Sequence, residues 1–118
     1  MQRTVLIVDD HEPFRAAARR LLESDGFAVV GEAADGASGI TLAREVEPDL
    51  VLLDVVLPDL SGFEVAEQLS DGPSQIILVS SRGRLDFVRR LRRSPVLGFV
   101  RKDQLSGERI RELLERAA

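Results

Sequence analysis

Five side chains whose chemistry would combine stand at the ends of apolar runs. Asp9 and Asp10 follow Thr4–Val8, Asp54 follows Asp49–Leu53, Ser80 follows Gln75–Val79, and Lys102 comes just after Leu97–Val100. Three carboxylates gathered in one place disfavour one another's ionisation. A hard divalent cation relieves that crowding, and an all-oxygen ligand set that keeps several waters suits Mg²⁺. An ionised aspartate beside such a cation is already a nucleophile toward phosphorus, needs no general base, and would become an acyl phosphate. The transferred oxygens then need positive charge and donors, which the Lys102 ammonium and the Ser80 hydroxyl supply. Each feature alone is ordinary: Asp-Asp after a strand is often a solvated turn or a helix cap, and a single serine or lysine at a strand end carries little information. It is the coincidence of all of them at strand ends that points to chemistry.

The elements that must position these groups read as strands alternating with helices. Thr4–Val8, Phe27–Gly31, Asp49–Leu53, Gln75–Val79 and Leu97–Val100 are the apolar, strand-like runs, the third and fourth nearly continuous as expected of central parallel strands. Pro13 suits the first turn of a helix whose inward set is Phe14, Ala17, Leu21 and Leu22, and Gly26 stops it. Asp35 caps a second helix with Ile40, Ala43 and Val46 inward. Gly62 to Leu69 predicts a short third helix with Phe63, Ala66 and Leu69 inward, and Leu85 to Leu91 a fourth with Leu85, Val88 and Leu91. Ser106 caps a fifth, with Ile110, Leu113, Leu114 and Ala117 as its apolar stripe. The (βα)₅ order predicts an α/β, flavodoxin-like three-layer sandwich around a five-stranded parallel sheet in the order 2-1-3-4-5, one domain over residues 1–118. In such sheets ligands sit beyond the carboxyl ends of the strands, at the switch point between strands 1 and 3.

Composition bounds the rest. The 118 residues suffice for one buried core. There is no cysteine, hence no disulfide and no thiolate metal site. No stretch approaches the length of a membrane span, and no signal peptide precedes the first strand, so no membrane contact and a cytoplasmic location are expected. Residues 1–81 carry 5 Arg against 15 acids, net −10, whereas residues 82–118 carry 11 basic residues against 5 acids, net +6. The acidic majority argues against direct nucleic-acid contact by the whole domain. Of the 16 basic residues only Lys102 is a lysine.

The segments VLIVDDHEPFR, VVGEAADG, DLVLLDVVLPDLSGFEV, IILVSS and GFVRK together resemble the receiver domains of two-component response regulators, over the whole chain. The DDH opening and GEAADG look most like receivers of LuxR-type transcription regulators. The resemblance implies that Asp54 accepts a phosphoryl group from a sensor histidine kinase or a small phosphodonor. Asp9, Asp10, Asp54 and the backbone carbonyl of Val56 would hold Mg²⁺. Lys102, Ser80 and backbone amides near Val56 and Ser81 would contact the phosphoryl group. Ser80 and Phe99 would form the switch, while Pro58 and Gly62 match the turn after strand 3. Such a domain catalyses only its own phosphorylation and dephosphorylation, and passes the signal through the helix 4–strand 5–helix 5 face to an output domain or partner, or to a second receiver in a homodimer.

Departures from the family pattern sharpen the expectations. Phe99 stands where tyrosine is frequent and brings no hydroxyl. Asp103 follows Lys102 where many members have proline, so no cis bond is expected there. Val56 and Arg82 occupy positions that help set the dephosphorylation rate, and an apolar Val56 cannot position water. Arg82, Arg84, Arg89, Arg90, Arg92 and Arg93 fall within twelve residues, read either as a solvated face or as a docking surface for an acidic partner. His11, the one histidine, reads as a loop residue beside the acids. A haloacid-dehalogenase-type phosphatase would want an acid in place of Val56, and a flavodoxin-like cofactor binder a Ser/Thr/Gly-rich loop in place of DDHEP. A phosphorylation-independent receiver used as an interaction module is the alternative, although such modules usually lack one of the groups present here. The residues end soon after helix 5, with no output domain among them.

Overall fold

A computed structural model describes residues 2–117. Five strands, β1 (Thr4–Val8), β2 (Ala28–Ala33), β3 (Leu50–Asp54), β4 (Gln75–Ser80) and β5 (Gly98–Arg101), alternate with α1 (Glu12–Ser24), α2 (Gly36–Val46), α3 (Gly62–Gln68), α4 (Val88–Arg93) and α5 (Gly107–Ala117). All strand pairs are parallel and the order is β2-β1-β3-β4-β5, as the element pattern predicts. Side chains alternate between the sheet's faces, so each strand feeds two cores. Val5, Ile7, Leu50, Leu52, Ile77 and Val79 pack beneath α1 and α5. Leu6, Val8, Leu53, Leu78 and Phe99 pack with Ile40 of α2, Phe63 and Val65 of α3, and Phe87. The result is the three-layer sandwich.

Local signals set most helix ends. Pro13 sits in the first turn of α1, and beyond it Gly26 takes φ 91°, a left-handed turn that returns the chain to β2. Asp35 accepts from the Ser38 amide at 2.7 Å. Ser61 and Glu64 form a capping box on α3, and Ser106 accepts from the Arg109 amide at 3.0 Å. No peptide bond among the described residues is cis, including the one before Asp103.

Four expectations about facing fail. In α1 the row facing the sheet is Phe14, Ala18, Leu21 and Leu22; Ala17 is one step round the helix and exposed. Val46, in the last turn of α2, lies beyond the sheet's edge and is exposed, and Ala117 at the end of α5 is exposed likewise. The largest change is at helix 4. Arg84–Phe87 wind as a tighter 3₁₀ turn and the α-helix starts only at Val88. That turn leaves Leu85 90% exposed and buries Phe87 instead. Three strands are also shifted and β4 is extended by Ser80: β2 starts at Ala28 and runs on to Glu32 and Ala33, which pair with Ile7 and Val8, β5 is Gly98–Arg101 rather than Leu97–Val100, and Asp49 precedes β3, its carboxylate accepting from the Thr4 amide at 2.8 Å.

Candidate functional site

The parallel register brings the carboxyl ends of β1, β3, β4 and β5 to one rim of the sheet. Strand parity then chooses the face. Asp9 continues the row of Val5 and Ile7, Asp54 that of Leu50 and Leu52, and Lys102 that of Val100, so all three are directed to the α1/α5 side. They meet there. Lys102 Nζ lies 2.6 Å from Asp9 Oδ2 and 3.2 Å from Asp54 Oδ2. The Lys102 ammonium also lies over the ring of Phe14, on the first turn of α1, with Nζ 4.4 Å from the ring centroid. Asp10 stays exposed, but its carboxylate joins those of Asp9 and Asp54 within 4.8 Å.

Asp9 is fully buried and Asp54 nearly so. Asp54 Oδ1 accepts only a long bond, 3.3 Å, from the Val56 amide. Burial pushes the Asp54 carboxyl above its ordinary range, the Asp9 charge adds to that, and Lys102 opposes both. Burial acts to lower the Lys102 pKa but loses to the contacts with Asp9 and Asp54, and the ammonium is held above its usual value. Asp9 Oδ1 accepts from the His11 amide at 2.8 Å, whereas Asp9 Oδ2 is buried and has charge contact with the lysine but no directed hydrogen bond. A buried carboxylate oxygen short of a donor, flanked by two further carboxylates, fits a hard divalent cation. Asp9, Asp10 and Asp54 are thus a group that could hold a metal ion.

Ser80 and Phe99 sit differently. Ser80 continues the row of Ile76 and Leu78, on the α3/α4 side of the sheet, and Leu78 pairs with Phe99. The Ser80 hydroxyl is buried and accepts from the Arg82 amide at 3.0 Å; among the described residues it makes no hydrogen bond with the acids. It neighbours Val79, the register partner of Asp54, at the same rim. Phe99 is buried, and its ring centroid is 5.9 Å from that of Phe87, which is 6.0 Å from that of Phe63. Val56 is 63% exposed beside the acceptor, and His11 is exposed with no capping bond from its side chain.

Several supporting residues carry no local signal in the sequence. Arg15 donates to the Asp9 carbonyl at 2.5 Å and pairs with Glu32 at 3.1 Å, which ties the acidic turn to β2. Asp59, two residues before the α3 cap, accepts from the amides of Gly36 and Ala37 at 2.7 and 2.9 Å and holds the first turn of α2. These amides keep the Asp59 carboxyl below its usual range. Gly62 has a stricter reason to be glycine than its turn suggests: a Cβ there would overlap the Asp54 carbonyl oxygen and the Val55 Cα. Helix α3 therefore packs directly on the backbone of the acceptor strand.

The family model of the response regulator receiver domain matches residues 5–115. The chain is 40% identical over 106 residues to BvgA of Bordetella pertussis, named as a transcription regulator, covering 88% of this chain and 51% of that protein. It is 34% identical over 119 residues to the nitrate/nitrite response regulator protein NarL of Escherichia coli K12, covering 98% of this chain and 55% of that protein. The chain thus spans about half the length of these relatives. Among solved structures it is similar to the signal receiver domain of a NarL response regulator from Mycobacterium tuberculosis, with a TM-score of 0.87 and 32% identity, over 98% of this chain and 96% of that one. A LuxR-family two-component response regulator from Aurantimonas sp. SI85-9A1 gives a TM-score of 0.86 at 30% identity, over 99% and 85% of the two chains.

Proposed function

The chain belongs to the response regulator receiver family, and we propose on that premise that it works in the cytoplasm and takes a phosphoryl group on Asp54 from a sensor histidine kinase or a small phosphodonor. The whole of residues 1–118 then acts as a single receiver. The observation that carries this reading is the convergence of Asp54, Asp9 and Lys102 within 3.2 Å contacts at the switch point of the sheet.

An Asp54 oxygen attacks the phosphorus of a phosphohistidine. The O–P bond forms as the P–N bond breaks, and the freed imidazole nitrogen takes up a proton. Lys102 releases its hold on Asp54 Oδ2 and follows the charge onto a phosphoryl oxygen. The Val56 amide, already directed at Asp54 Oδ1, and the amide next to Ser80 donate to the other oxygens. Asp9, Asp10 and Asp54, with the Val56 carbonyl, would hold Mg²⁺, which when bound would offset the carboxylates and the developing phosphoryl charge. Ser80 swings from the Arg82 amide toward the phosphoryl group, and the space it leaves on the α3/α4 side is open to Phe99. The new group carries about −1.5 to −2 charge, enough to favour that state by its differential contacts. The α4–β5–α5 face then controls an output domain or partner. Val56 offers no donor or acceptor side chain to position an attacking water, so the phosphoryl group persists; a lifetime of seconds would contradict this.

Incubation with Mg²⁺ and acetyl phosphate followed by intact mass measurement tests the reading. One added phosphoryl group that is lost in Asp54→Asn is the expected result. Unchanged mass with a folded protein, or uptake that survives the substitution, would overturn it.

A further inference from the structure

The three candidate metal ligands are not held equally. Asp9 is engaged at both carboxylate oxygens, Oδ1 by the His11 amide at 2.8 Å and Oδ2 by Lys102 Nζ at 2.6 Å. Asp54 ends a strand in register with β4 and meets the same lysine at 3.2 Å. Asp10 is exposed and has no ion-pair partner among the described residues, so the place of its carboxylate follows from the backbone that carries it. That backbone is the Asp9–Asp10 peptide. A peptide unit is planar, so holding its carbonyl oxygen fixes the rotation of the whole unit and with it the Asp10 Cα. Arg15 holds that oxygen: its Nη1 donates to the Asp9 carbonyl at 2.5 Å, a charge-assisted bond from α1. The guanidinium is anchored in turn, with Nε donating to Glu32 Oε1 of the edge strand β2 at 3.1 Å. Arg19, one turn further along α1, binds the other Glu32 oxygen at 2.8 Å. The Arg15 side chain is only 16% exposed, which sets this pair apart from a freely solvated one. Glu32 also offsets a guanidinium charge that would oppose an incoming cation.

We infer that Arg15 is a positioning residue for the divalent cation: through the Asp9 carbonyl it presents the Asp10 carboxylate to Asp9 and Asp54, and Glu32 fixes Arg15 in that place. The inference rests on the reading of Asp9, Asp10 and Asp54 as magnesium ligands. It gives α1 and β2 a part in metal affinity, although neither element contributes a ligand. A pair that only fastened α1 to β2 would stabilise the fold and leave the affinity alone.

Calorimetric titration of the whole chain with magnesium chloride, paired with urea unfolding in the absence of the ion, separates the two. Arg15→Met is expected to weaken Mg²⁺ binding about tenfold or more, the usual loss when a group that orients a ligand is removed. Arg15→Lys, which keeps the charge but not the fork, and Glu32→Gln are expected to fall between that variant and the parent; they carry the test if Arg15→Met fails to fold. Arg19→Met removes a contact to Glu32 and none to the acidic turn, and is expected to bind Mg²⁺ as the parent does. Phosphoryl uptake from acetyl phosphate by Arg15→Met should be slow at low Mg²⁺ and regain the parent rate at saturation, because the acceptor is untouched. The inference is overturned if Arg15→Met and Glu32→Gln lose urea stability yet bind Mg²⁺ like the parent, or if saturating Mg²⁺ leaves uptake slow. Tighter binding by Arg15→Met would also overturn it, since the guanidinium would then be no more than a competing charge. A parent chain that binds no Mg²⁺ sinks the metal assignment and this inference together; parent binding with unchanged variants sinks the inference alone. Mg²⁺ binding that follows the expected order without any phosphoryl uptake sinks the acceptor reading alone.

Discussion

The ammonium of Lys102 is closer to Asp9, at 2.6 Å, than to the acceptor Asp54, at 3.2 Å. In this state the lysine chiefly compensates a fully buried acid, and its approach to Asp54 is secondary. Removing one partner of a buried pair leaves the other charge uncompensated in a site of low polarity, which is more damaging than losing the pair as a whole. Lys102→Ala is therefore expected to cost about 3 kcal/mol in urea unfolding without divalent cation. Millimolar Mg²⁺ should return part of that loss, because an ion that binds only the native state stabilises it. An unchanged unfolding midpoint in either condition would show that Asp9 is compensated by something other than this lysine.

Asp54 carries the opposite sign. Its carboxyl is held above the ordinary range, first by burial and then by the charge of Asp9. The native chain thus keeps that proton more tightly than the unfolded chain does. The contribution to stability is complete below the unfolded pKa and is lost as pH rises through the native one. At neutral pH without divalent cation, Asp54→Asn should be the more stable protein. The difference between the two proteins should shrink as pH falls toward 4, and Mg²⁺ should reverse their order. Thermal unfolding of both across pH reads this directly. An asparagine variant less stable at every pH would mean that the contacts with Lys102 and Val56 outweigh burial.

Asp59 titrates the other way. Its carboxyl is held low by the amides of Ala37 and Gly36, so the clamp on α2 is present above the unfolded carboxylate pKa and lost as pH falls through the native value. Asp59→Ala should lower the melting temperature at pH 7 and make little difference in strong acid. Equal loss at both extremes would assign the effect to packing rather than to charge-assisted hydrogen bonds.

The parts of this protein legible in its sequence are those governed by short-range rules. Continuous apolar runs ending in Asp9, Asp54 and Ser80 define β1, β3 and β4 and their shared rim, because a parallel strand buried on both faces has few other compositions. The caps at Asp35 and Ser106 follow from residue type. What escaped is long-range or depends on a small change of helical pitch. Asp59 reaches amides 23 residues away, and Arg15 reaches a carbonyl across a turn. Parity places Ser80 on the opposite side of the sheet from the acids, a relation that needs the strand's exact phase as well as its end.

Gly62 gives a stereochemical test of the acceptor strand. Its missing Cβ lets α3 rest against the Asp54 carbonyl, and Gly62→Ala forces those two segments apart. Overpacking of this kind costs about 1–3 kcal/mol. Since the strain falls on the acceptor's own backbone, the rate of phosphoryl uptake should fall as well. Loss of stability with an unaltered uptake rate would mean that α3 yields and the acceptor stays in place.

Between β4 and α4 the pitch of the 3₁₀ turn decides which side chain reaches the core. An α-helix starting at Leu85 would bury that leucine and direct Phe87 elsewhere. The tighter turn does the reverse, with Leu85 90% exposed and Phe87 between Phe63 and Phe99. Leu85→Ser should thus leave stability within about 0.5 kcal/mol of the parent, whereas Phe87→Ala should cost about 3 kcal/mol or more. Phe87→Leu, which keeps bulk but loses the ring contacts, should fall between. If Leu85→Ser is the destabilising change and Phe87→Ala is silent, the regular helix is right after all, and Phe99 has lost the neighbour through which its motion would reach α3.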